Sequence, residues 1–152
     1  MNRLLCLLFA ALLLAACGGS SDRLSKSAYE AKLHAAFVAA QEADGAAHKG
    51  HSNQVQILRA VAATYNGLAK TLRGVKTPLG AQKLNDQLVT GAAAQARALD
   101  SLAAKLAATR QPASSRVLAQ FDANDVPGQR QFDRAVAALE AKGYRFRPSG
   151  GT

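Results

Sequence analysis

Residues 52–76 read SNQVQILRAVAATYNGLAKTLRGVK, and in them Leu58, Val61, Tyr65, Leu68, Leu72 and Val75 recur at alternating steps of three and four. Such steps return to one face of a 3.6-residue helix, so the spacing predicts a helix with an apolar seam against its neighbours. Downstream, Thr77-Pro78 reads as a stop and restart. Thr77 suits an N-cap, and Pro78 suits the first helical position, where its missing N–H costs nothing. A third helix is expected from about Pro78 to Arg110, with Leu84, Leu88, Leu99, Leu102 and Leu106 on its face. Gly91, Ala92 and Gln95 lie between them, and Gln111-Pro112 ends the run.

Upstream, Tyr29, Leu33, Phe37 and Ala40 mark a first helix. Ser25 as N-cap would make Leu24 and Tyr29 a hydrophobic staple, whereas Ser27 as N-cap would pair with Glu30 in a capping box. Gly45 and Gly50 bracket the expected end. Towards the C-terminus, Val117, Leu118 and Phe121 suggest a short helix from about Ala113, and Asn124 to Gly128 a turn. Phe132, Ala135, Val136 and Leu139 define a last helix closed by Gly143, with Tyr144 placed for a Schellman contact to Leu139. Short connections between long amphipathic helices make neighbours antiparallel. The expected fold is therefore all-α: an antiparallel up-down helical bundle of about four helices, the last one broken, over residues 24–147. Symmetry about residues 77 and 78 places Gly67 near Gly91, so both are expected where two backbones approach closely.

Composition agrees. The chain has 152 residues, 49% of them hydrophobic, and past residue 16 it holds 30 Ala against 29 Val, Ile, Leu, Phe and Tyr together. Alanine favours helices and is depleted in strands, which argues against an all-β fold. The apolar content is too high for a wholly disordered chain.

At the N-terminus, Arg3 precedes an unbroken apolar run from Leu4 to Ala16. A helix of that length spans roughly 20 Å, short of the ~30 Å hydrocarbon core, so an export signal fits better than a membrane span. The run ends in Leu14-Ala15-Ala16-Cys17, followed by Gly18-Gly19-Ser20-Ser21-Asp22. This resembles the lipobox of bacterial lipoproteins. The resemblance implies a diacylglyceryl group on the Cys17 sulfur and cleavage between Ala16 and Cys17. Residues 1–16 would then be a signal peptide and 17–23 a flexible tether. At the other end, Pro148-Ser149-Gly150-Gly151-Thr152 reads as a disordered tail. Cys6 would leave with the signal, so no disulfide or cysteine nucleophile would remain.

The candidate chemistry is sparse. His48 and His51, in His48-Lys49-Gly50-His51, have the H-x-x-H spacing of a metal pair, although a solvated loop explains them as well. Glu30 and His34 share a helical face but are not the Glu-x-x-His pair of di-iron bundles, and no Cys-x-x-Cys-His haem motif occurs. No Gly-x-Ser-x-Gly elbow is present either. The reading is of a protein that is not an enzyme and holds no cofactor.

Charge is the remaining signal. Lys and Arg number 19 against 10 Asp and Glu. Arg73, Lys76, Lys105, Arg110 and Lys142 stand near helix C-termini, and Glu30, Asp86 and Asp125 near helix starts, where the helix dipole favours each sign. The rest could meet anionic lipid or acidic polymer, whereas export argues against nucleic acid. Tyr144-Arg145-Phe146-Arg147 alternates rings and cations, so Arg145 and Arg147 are candidate contacts to an anionic surface. The same rings could instead fold back over the open end of the bundle.

With the lipobox, the Leu24-Ser25-Lys26 start, the Val75-Lys76-Thr77-Pro78 turn and the Lys142-Gly143-Tyr144 ending, the chain resembles the small alanine-rich lipoproteins of actinobacteria-like genomes. That resemblance implies a lipid anchor at the extracytoplasmic face of the cell membrane and no particular activity. The expected function is a non-enzymatic module for contact with a protein or envelope component. The alternative is a charge-driven binder of anionic lipid or acidic polymer.

Overall fold

The computed structural model describes residues 23–109 and 126–146. These form four helices: α1, Lys26–Gly50; α2, Gln54–Arg73; α3, Gln82–Ala108; and α4, Gln129–Ala141. The fold is all-α and the helices pack as a bundle, α1 on α2, α2 on α3 and α3 on α4. Residues 51–53 and 74–81 are too few to carry the chain back along a helix, so α1, α2 and α3 run alternately up and down. The start of α4 lies on Gly91 at the middle of α3. Its far end leads to Tyr144, which packs on Tyr29 beside Asn85. Helix α4 thus returns towards the start of α3 and covers only that half of it. The expected leader and lipidation positions, Ala16 and Cys17, the helix proposed from Ala113, Arg147 and the tail at 148–152 lie outside the described residues.

The seam residues pack as their periodicity implies. Leu58, Leu68 and Leu72 of α2 are buried, as are Leu88, Leu99, Leu102 and Leu106 of α3 and Phe132, Ala135, Val136 and Leu139 of α4. They divide into two clusters. Leu58 and Ala62 meet Leu99, Leu102, Ala103 and Leu106 between the distal halves of α2 and α3. At the other end, Tyr29, Leu33, Leu72, Leu88, Leu139, Tyr144 and Phe146 belong to a larger core shared by all four helices. Here α1 stands off: none of its Cα atoms comes within 8 Å of a Cα in α3 or α4. Aromatic rings span that gap. Phe37 meets Phe132 at 5.7 Å and stacks on Phe146 at 5.6 Å, while Tyr29 meets Tyr144 edge-on at 5.6 Å.

Two polar side chains are buried with this core. Asn85 donates through Nδ2 to the Leu72 carbonyl at 3.0 Å and accepts from the Tyr29 hydroxyl at 3.1 Å. The Leu72 carbonyl belongs to the last turn of α2, where no helical N–H follows to bond it; the Val75 N–H also reaches it, at 3.2 Å. Asn85 therefore ties α1, α2 and α3 at one point. Gln95 is also buried, and its Nε2 finds no acceptor among the described residues.

Several boundaries differ from expectation. Ser25 is the N-cap of α1, its hydroxyl accepting from the Ala28 N–H at 3.2 Å, so the alternative capping box at Ser27 is not used. Helix α1 continues through Gly45 to Gly50, because a helical Gly costs only about 1 kcal/mol and does not end a packed helix. Thr77 and Pro78 do not start α3. Gly80, at φ +82°, turns the chain, the Ala81 N–H bonds the Pro78 carbonyl at 3.2 Å, and the helix begins at Gln82. No carboxylate occupies the first turn of a described helix; Glu30 and Asp86 lie just beyond it. The Schellman ending forms as read: Tyr144 N–H bonds Leu139 O at 3.1 Å, Gly143 N–H bonds Glu140 O at 2.8 Å, and Gly143 has φ +79°.

The glycine pairing is corrected. A Cβ on Gly91 would stand 2.9 Å from the Gly128 carbonyl and from the Phe132 backbone and side chain, so the close approach is to α4. Gly67 is exposed, with nothing within 4 Å of an added Cβ. Gly91→Ala is expected to lower unfolding free energy by about 1–3 kcal/mol through overpacking. Gly67→Ala should raise it by up to about 1 kcal/mol. Urea denaturation of the two variants measures both, and equal effects would refute the assignment.

Burial pushes the Tyr29 hydroxyl well above its ordinary value of 10.0, with Tyr144 and Asp86 adding to it, and Tyr65 rises for the same leading reason. For an acid raised by folding, stability is complete below the unfolded value and falls once pH climbs past it. Stability should therefore decline above about pH 10. Tyr29→Phe, which leaves the Asn85 carbonyl oxygen without its donor, should lose about 1–3 kcal/mol at neutral pH. It should also show a shallower alkaline decline. Denaturant titrations at neutral and alkaline pH measure both effects.

Candidate functional site

The end of the bundle at which the described chain begins, here called the proximal end, gathers exposed cations from every element. Arg23, Lys26 and Lys32 come from the start of α1, and Lys70, Arg73 and Lys76 from the end of α2 and its turn. Lys83 comes from the first turn of α3, and Lys142 and Arg145 from the chain after α4. The acids at this end are Glu30, Asp86 and Glu140, nine cations against three. In the remaining described chain, Lys49, Arg59, Arg97, Lys105, Arg130 and Arg134 face Glu42, Asp44, Asp100 and Asp133, six against four. The positive excess of the composition is thus mostly local. Lys70 and Arg73 complement the C-terminal dipole of α2, but Lys32 and Lys83 lie in the N-terminal parts of their helices, where the dipole gives a cation no support.

Contacts fix these segments together. With its amide turned so that the oxygen faces the guanidinium, Gln82 accepts from Arg23. Lys26 Nζ lies 5.3 Å from the centre of the Tyr144 ring. Leu24, Lys32, Lys70, Thr71, Gly74, Val75 and Lys76 line one open cavity of about 570 Å³. A second, of about 630 Å³, continues from it along the groove between α1 and α2. Its walls are small: Ala35, Ala39 and Ala43 on α1, Ala60, Ala63 and Gly67 on α2.

The C-terminal segment folds back. Tyr144 and Phe146 are buried, the Arg145 N–H donates to Glu30 Oε1 at 2.9 Å, and His34 Nδ1 lies 3.0 Å from the Phe146 carbonyl. A carbonyl only accepts, so Nδ1 is the protonated nitrogen in that bond. The rings of this segment close the core rather than face solvent, and Arg145 remains exposed between them.

The other candidates stay apart. His48 lies in the last turn of α1, exposed, 4.0 Å from Asp44, and His51 caps the helix, also exposed. Among the described residues, no three His, Cys, Asp or Glu side chains converge as metal ligands would. No described helix is long and apolar enough to cross a membrane.

Two residues were missed in the sequence. Asn85 carried a signal, because it falls in step with Leu88, Ala92, Gln95 and Leu99 on the buried face of α3. Leu79 carried none while Pro78 was read as the start of a helix; in the turn it is 80% exposed. Neither a family model, nor a curated protein, nor a solved structure matches the chain.

Proposed function

We propose that this chain is a membrane-anchored, non-enzymatic interaction module of the bacterial cell envelope. A lipid on Cys17 holds it at the extracytoplasmic face, and the helical bundle makes contact through its surface. The carrying observation is that the chain joins the bundle at the end where the cations are gathered. Residues 18–22 would reach about 12 Å as a flexible coil, so a lipid on Cys17 brings that end against the head groups. Each Lys or Arg near an anionic surface contributes about 1 kcal/mol, within a Debye length of about 8–10 Å. The placement favours charge-driven contact with anionic lipid or acidic envelope polymer over contact at a solvated, evenly charged surface.

A protein partner is the second reading, and the α1–α2 groove favours it. Alanines and Gly67 let another backbone come close, and Lys32 and Lys70 at its proximal end fit a carboxylate. The occupant would be a helix with small side chains and an acidic end. Gly67→Leu should fill the groove and abolish crosslinking from position 39 to such a helix in native membranes. Crosslinking that persists would refute this reading.

Cys17→Ser should move the protein from the membrane to the aqueous fraction of cells. An unchanged membrane fraction would refute the anchor.

A further inference from the structure

We propose that the 74–81 turn and the cations around it form a docking surface for an anionic lipid bilayer, with Leu79 as the side chain that enters the lipid. Leu79 is the one large hydrophobic residue exposed among the described residues. A single exposed apolar side chain is common and by itself means little. What distinguishes Leu79 is its position.

It stands between Pro78 and Gly80 at the tip of a turn closed by the Ala81 N–H to Pro78 carbonyl bond of 3.2 Å. Proline fixes φ, and the turn is anchored beneath by Asn85, which holds the Leu72 carbonyl. The tip is therefore already ordered, and insertion needs little further loss of conformational freedom. Three to six residues from it in the chain are Arg73, Lys76 and Lys83, all exposed, and Lys32 and Lys70 belong to the same end of the bundle, as does the exposed Asp86.

An apolar tip at an end rich in long cationic side chains matches the layering of a bilayer surface. The leucine reaches the acyl boundary, while the lysine stems lie along it and keep their ammonium groups among the phosphates. An acidic protein would need a pocket shaped to Leu79 as well as complementary charge. A lipid surface closes around the leucine.

The proposal deepens the membrane reading and rests on it for the presence of a bilayer, but not on lipidation of Cys17. The two can fail separately: cell fractionation of Cys17→Ser tests the anchor, and vesicles test the turn.

The chain contains no Trp, so Leu79→Trp gives the full chain a single indole at the tip. Ala107→Trp, at an exposed position near the end of α3, serves as the control. Both chains carry the apolar run from Leu4 to Ala16, so attachment through it is common to them. On vesicles of phosphatidylcholine with phosphatidylglycerol, Leu79→Trp fluorescence should shift to the blue and become shielded from an aqueous quencher. Ala107→Trp should change in neither respect, and phosphatidylcholine alone should give little shift at either position.

Adding Lys32→Gln, Arg73→Gln and Lys83→Gln to the tip reporter should raise the lipid needed for half the shift roughly a hundredfold, about fivefold per cation. Lys49→Gln, Arg59→Gln and Lys105→Gln together should raise it far less. Equal quenching at positions 79 and 107 on the anionic vesicles would overturn the proposal. So would equal effects of the two triple substitutions, which circular dichroism would confirm as folded.

Discussion

The two hydrogen bonds of Asn85 hold the proximal end in one arrangement. Its amide N–H donates to the Leu72 carbonyl at the end of α2, and its carbonyl accepts from the Tyr29 hydroxyl on α1. Each bond in isolation contributes about 1 kcal/mol, but all three groups are buried, so losing Asn85 leaves the Tyr29 hydroxyl without its acceptor and the Leu72 carbonyl with the Val75 N–H alone. The set also determines where other parts lie. Tyr29 is the platform for Tyr144, and the end of α2 is the base of the turn that carries Leu79.

The chain uses two spacings to pack helices with few large apolar residues. Between α2 and α3, Ala62, Ala69, Ala92 and Ala103 let backbones come close while leucines fill the seam. A methyl group contributes only about 0.8 kcal/mol, so close approach matters more there than the methyls themselves. Between α1 and the pair α3 and α4 the helices stand apart and rings do the filling, with Phe37 against Phe132 and Phe146. The C-terminal segment is part of this second device: without Tyr144 and Phe146, one side of α1 would have little to pack on.

What could be read in the sequence follows from which forces are local. The seams of α2, α3 and α4 and the Schellman ending at Gly143 depend on residues a few positions apart, and the structure reproduces them. Gly91 was read as a close approach but assigned to the wrong partner, since hairpin symmetry says nothing about a helix that returns later in the chain. Pro78 suits both a first helical position and a turn, and Gly80 decides between them. The candidate site was legible as an excess of charge and not as a place. Lys32, Lys70, Lys83 and Arg145 are far apart in sequence and come to one end of the bundle only because α1 to α4 fold back on one another. Leu79 gains meaning only beside them.

Asn85 organises the proximal end as a unit distinct from the distal half of α2 and α3. Hydrogen–deuterium exchange of Asn85→Leu, which keeps the number of side-chain heavy atoms and removes the bonds, tests this. Faster exchange is expected at the Val75, Ala81 and Tyr144 amides, while amides around Leu102 keep their protection. Uniform loss of protection across the four helices, or no change near residues 74–81, would contradict it.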